Sequence, residues 1–171
     1  MITNALRDFK LSGIALNDED KKRYGEIATR LSELSSSFSN NVLDATQAFS
    51  ITIANKSELT GLPDSALAAA KELADAKDKG GYTFTLDIPS YLPVMMYCDN
   101  ASLREQLYTA FVTRASDQGP NAGEFDNSDI MNELLMLRHE LANLLDFENQ
   151  TLHVILTNRF TCTYDESDAR Y

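Results

Sequence analysis

Residues 17–47, NDEDKKRYGEIATRLSELSSSFSNNVLDATQ, decide the fold class. Asn17 has a short polar side chain suited to accept a hydrogen bond from a first-turn amide, so it reads as an N-cap. Asp18, Glu19 and Asp20 follow, where the helix dipole favours anions. Tyr24, Ile27, Leu31, Leu34, Phe38 and Ala45 recur at alternating steps near three and four, with Val42 close to the same line. That spacing puts one apolar stripe on one long helix. Glu19 with Arg23, and Glu26 with Arg30, have the i,i+4 spacing of ion pairs on its outer surface.

Beyond this helix the period changes to two. Ala48-Phe49-Ser50-Ile51-Thr52-Ile53-Ala54 alternates and is rich in Ile and Thr, which predicts a strand. Gly61-Leu62-Pro63 breaks the chain, and Pro63 suits the first position of a helix running to about Lys79. Gly80-Gly81 is expected to stop it. Tyr82 to Asp87 is a second strand candidate, and two such short strands are expected to pair as a small appendage. Pro89 and Pro93 punctuate 87–98, where Pro93 limits any helix to a short one unless it occupies the first turn. Ser102 to Ala115 reads as a helix, with a capping box from Ser102 to Glu105 and with Leu103, Leu107 and Phe111 on one face. Ser116 to Asp126 is a turn-rich loop. Asn127 to Asp146 is the last clear helix, with a stripe of Ile130, Leu134, Leu137, Leu141 and Leu144. After Asn149 the helical texture stops, and Leu152 to Leu156 has a β-like run. The expectation is a mainly α chain: a helical, bundle-like lobe with a small two-stranded β element.

The 171 residues suffice for a domain with a real core, and 43% hydrophobic with 24% charged residues is ordinary for a globular chain. A formal charge of −11 repels phosphate backbones, which argues against a nucleic-acid partner. No apolar run approaches the roughly 18–20 residues that span a bilayer, so no membrane partner is expected. Met1 to Asp8 lacks the pattern of a signal peptide. Cys98 and Cys162 fit neither a metal spacing nor a disulfide framework, which makes a reducing cytoplasm the default location.

The residues that could carry chemistry read mostly as structure. His139-Glu140-Leu141-Ala142-Asn143 resembles a zincin helix for two residues only. That motif needs a second imidazole four residues on, so that both face one metal while the Glu activates water, and Asn143 stands in that place. His139 and Glu140 are therefore expected on the polar side of an amphipathic helix. His153 reads as a partly exposed histidine. Asp126 and Asp129 fit capping and dipole roles at a helix start, and 116–129 lacks the ligand order of a calcium loop. Gly119 and Gly123 lack the lysine and the preceding strand of a phosphate loop. Cys98 reads as a small buried thiol, and Met95, Met96 and Tyr97 as core or interface filling. No catalytic, cofactor-binding or metal-ligating residue is expected.

A set of segments carries a resemblance. Leu6-Arg7-Asp8-Phe9-Lys10-Leu11-Ser12-Gly13 opens it. Arg23 to Leu34, Phe38 to Asp44, Leu59 to Pro63, Leu86 to Tyr91, Thr113 to Ser116, Asp126-Asn127, Leu137 to Ala142, Leu144-Leu145 and Phe147 to Asn149 continue it in order. Together they resemble the oligopeptidase A/thimet oligopeptidase family of zinc metallopeptidases. The resemblance implies a large helical enzyme with a deep channel that admits short peptides and excludes folded proteins. It also implies a zinc held by an H-E-x-x-H helix and a further Glu, with the motif's Glu as general base. No position in this sequence matches that motif, so none of those roles transfers.

Residues 1–149 thus resemble the non-catalytic lobe, one wall of the channel, without the family's N-terminal portion. Residues 150–171 diverge, as a shifted reading frame or a poorly ordered tail would. The expectation is an oligopeptidase segment with no zinc of its own and no activity alone, whose partners are short peptides and the missing catalytic lobe. The alternative is a stand-alone helical interaction module.

Overall fold

A computed structural model describes residues 12–147. Five α-helices and one two-stranded sheet are present among them. They fall into two compact units, one built from residues up to Ser35 and from Met131 onward, the other from Ser36–Ile130.

The long helix α1 spans Asp18–Ala48. Asn17 caps it as expected: its Oδ1 accepts from the Asp20 amide at 2.9 Å, and its Nδ2 donates to Asp20 Oδ2 at 2.8 Å. The apolar stripe faces inward, with Ile27, Leu34 and Ala45 buried and Tyr24, Leu31, Phe38 and Val42 half-buried. The expected i,i+4 pairs are not the ones formed. Arg23 bonds Glu26 and Arg30 bonds Glu33, each at i,i+3, while both guanidinium groups point mainly across to the last helix. A two-pronged carboxylate in fixed position competes better for a guanidinium than a mobile neighbour on the same helix.

In the second unit, β1 (Ser50–Ile53) pairs antiparallel with β2 (Tyr82–Thr85), Ile51 opposite Phe84 and Thr52 opposite Thr83. The Thr52 and Thr83 hydroxyls meet at 2.9 Å. Phe84, Leu86 and Thr83 are almost fully buried. The strand pair is therefore part of the core rather than an appendage to it. Lys56–Leu59 forms a 3-10 turn, and α2 runs Asp64–Ala76. Pro63 sits at the N-cap, one residue before its expected place. The helix stops ahead of the Gly80-Gly81 pair because Asp78 adopts φ 51 and the Lys79 amide donates back to Ala74 O at 2.9 Å. Gly81 serves a different need: at φ +100, a Cβ there would lie 2.4 Å from Ile53 O, so only glycine lets the chain enter β2 this close to β1.

Helix α3 spans Ile88–Tyr97, with Pro89 in its first turn and Pro93 inside it. Helix α4 spans Ala101–Val112. Its cap is Asn100, whose side chain accepts from the Leu103 amide at 3.2 Å, and not the expected Ser102–Glu105 box. Asn100 lies two residues upstream, so Ser102 falls within the first turn, where its hydroxyl accepts from Gln106 Nε2. Tyr91 and Phe111 stack at 4.2 Å between α3 and α4. Their inner faces supply Val94, Cys98, Leu103 and Leu107 to one core with Leu59, Leu67, Phe84 and Leu86.

The last helix, α5, spans Ser128–Leu144. Asp126 Oδ1 receives both the amide and the hydroxyl of Ser128, at 2.9 and 2.7 Å, and these bonds hold its carboxyl below the usual range. Asn127, expected as the helix start, is instead a buried polar junction. It is 1% exposed, donates to Phe38 O and accepts from Asn41 Nδ2 at 2.9 Å. Buried amides keep their place by such bonds.

Candidate functional site

Helix α5 positions the only His-Glu pair of the sequence. His139 and Asn143 are exposed. Glu140 is committed: Arg23 Nε donates to its Oε1 at 2.6 Å and the Arg23 fork completes the pair on Oε2 at 2.9 Å. One heptad away, Arg30 grips Glu133 with the same two distances. The hydrogen bond from Arg23 holds the Glu140 carboxyl below its ordinary value, and Arg30 does the same to Glu133. A carboxylate so bound is a poor general base, because its lone pairs are engaged and its proton affinity is lowered.

Because both carboxylates titrate lower in the folded chain, their contribution is present above about pH 4.5 and is lost as pH falls through the depressed folded values. The pairs are largely exposed, so the effect is modest and screened by salt. Melting curves from pH 7 to pH 3 should fall more steeply below about pH 4.5 for the native chain than for a Glu133→Gln/Glu140→Gln double variant. Parallel curves would show that the clamps contribute nothing.

The other sequence candidates resolve into structure. Asp126 caps α5, and Asp129 lies in its first turn. Gly119 and Gly123 sit in a turn-rich connection in which the Gly123 amide donates to Ser116 O. Cys98 is buried, its sulfur 4.0 Å from Glu58 O. Met95 packs on the core, while Met96 and Tyr97 are exposed. His153 and Cys162 lie outside the described residues. Among the described residues no three His, Cys, Asp or Glu side chains gather into a metal-holding group, and the α5 residues do not fit a zinc: one imidazole, an asparagine and an arginine-bound glutamate cannot make its ligand set. None of the described helices is long and apolar enough to cross a membrane.

A groove of about 430 Å³ runs between α2 and β2, lined by Ala66, Ala69, Leu73, Thr83, Thr85 and Ser90 among others. Several of its polar groups are already paired: Thr85 Oγ1 donates to Asp87 Oδ2, and the Thr85 amide donates to Ser90 Oγ. Sequence spacing did not mark this groove, since its walls come from α2, β2 and the first turn of α3.

Comparison with known proteins decides what this frame belongs to. Residues 94–160 match the model of peptidase family M3. Over 148 residues, 86% of this chain, the sequence is 66% identical to Oligopeptidase A of Salmonella typhimurium, and it is 62% identical over 156 residues to Oligopeptidase A of Escherichia coli. These matches support an oligopeptidase A segment of the peptidase family M3 kind. A plant relative, the probable cytosolic oligopeptidase A of Arabidopsis thaliana, is 41% identical over 156 residues. The chain spans about a fifth of the length of these relatives, 22% of the Salmonella protein and 23% of the E. coli one. The oligopeptidase A likeness expected from the scattered segments thus holds across most of the chain.

Proposed function

We propose that this chain is part of a zinc-dependent oligopeptidase that hydrolyses short peptides in the cytoplasm, and that it contributes a wall of the substrate channel rather than the catalytic centre. The observation that carries this reading is 66% identity over 148 residues to a protein named Oligopeptidase A, of which those residues are about a fifth. Residues 1–149 are taken as one lobe of that enzyme, and 150–171 as a divergent tail. Bound zinc polarises a carbonyl and ionises a water in such chemistry. The described residues offer it no ligand set. Their part is to bound the space in which a peptide lies.

The self-contained core of the second unit, Leu59 through Leu107, favours a second reading, a stand-alone helical interaction module. Under either reading the purified 171-residue chain, supplied with equimolar zinc, should not cleave a quenched fluorogenic peptide above the buffer rate. Chelator-sensitive turnover, with zinc retained at one ion per chain through dialysis, would overturn the assignment of this chain to a wall.

A further inference from the structure

Helix α3, IPSYLPVMMY, contains no charged residue in a chain where 24% of residues are charged. Helices that are apolar all round are covered on all sides. Here, among the described residues, one side is covered, by the core through Tyr91, Val94 and Cys98. The opposite side presents Ile88, Leu92 and Met96 at successive i,i+4 positions, 52%, 43% and 65% exposed. Helix α4, whose Phe111 stacks on Tyr91 of α3, likewise exposes Tyr108 and Val112, one turn apart. Stripes of this kind on a globular surface mark interaction sites.

We propose that the outer face of α3, with Tyr108 and Val112 of α4, docks against M3 polypeptide lying outside the segment spanned here. The inference rests on the M3 reading given above. The length of the relatives supplies the occupant: more than three quarters of each bacterial oligopeptidase A lies outside its match to this chain. A second copy of this chain is the weaker occupant, since two copies bring together net charges of −11 each.

The test uses full-length Salmonella oligopeptidase A in which the matched 148 residues are replaced by those of this chain, with and without Leu92→Asp/Met96→Asp. The same double variant is made in the 171-residue chain. Docking predicts that the double variant lowers the melting temperature of the chimera by about 5 °C or more, yet leaves that of the 171-residue chain within about 1 °C. Met96→Gln, a milder change, should lower the chimera's value by less, which covers the case in which the double variant does not fold there. Equal melting of the chimera with and without the substitutions would overturn the proposal. So would a dimer of the 171-residue chain, seen by sedimentation, that the double variant dissolves. An unsubstituted chimera without peptidase activity would instead tell against the oligopeptidase reading, and is read separately.

Discussion

Replacing Phe84 with alanine should lower the unfolding free energy of the second unit by about 3–5 kcal/mol, the usual cost of emptying a buried aromatic site. Phe84 is 2% exposed on β2, opposite Ile51, and it sits in one cluster with Leu59, Leu67, Val94 and Leu107. A strand of four residues cannot collapse far into the void, because its ladder to β1 and the Thr85–Ser90 bond hold its backbone in place. Urea unfolding followed by far-ultraviolet circular dichroism should show a lower midpoint with an unchanged slope. A loss below about 1 kcal/mol would mean that the pair of strands is peripheral after all.

Gly61→Ala is the second large effect. Gly61 has φ +88, and a Cβ there would come 2.1 Å from Tyr97 O, a backbone atom that cannot swing aside. The neighbouring Asp99 amide donates to Thr60 O at 2.9 Å, so the loop before α2 is laced to the end of α3 at this point. Alanine therefore meets both an unfavourable backbone conformation and a collision that can be relieved only by separating the two segments. A loss of at least about 2 kcal/mol is expected, measured by the same urea titration. The increase in hydrogen exchange should centre on Thr60, Leu62 and Asp99. A variant as stable as the parent would show that the close approach is not needed.

Much of the architecture was legible because it rests on local rules. The stripe from Tyr24 to Ala45, the Asn17 cap and the alternation at 48–54 each follow from spacing within a few residues. What was missed depends on competition between equally good local choices, or on partners far off in the chain. Asn100 and Ser102 both cap well, and the winner is set by where Leu103 must point to reach the core. Asp78 takes the left-handed conformation although two glycines follow, because β2 must begin close to β1 and Gly81 is required there. Arg23 lies 117 residues from Glu140, a distance at which periodicity is silent.

The candidate site was legible mainly as a mismatch. Asn143 in place of a histidine was visible in the sequence, and the geometry adds the reason Glu140 is there, as the partner of Arg23. Nothing in the spacing of Ile88, Leu92 and Met96 told which side of α3 would be left uncovered, since both sides of that helix are apolar.

The two arginine clamps also fix the alignment of one helix along the other. Moving α5 by one turn would bring Met136 or Leu144, neither of which carries a carboxylate for the guanidinium, opposite Arg23. A slip of a full heptad in one direction matches Arg30 with Glu140 but leaves Arg23 beyond the end of α5, facing Phe147. In the other it matches Arg23 with Glu133 but carries Arg30 to Asp126, which is already occupied by Ser128. Only one setting satisfies both forks, so the pair acts as a two-toothed key that admits a single parking position.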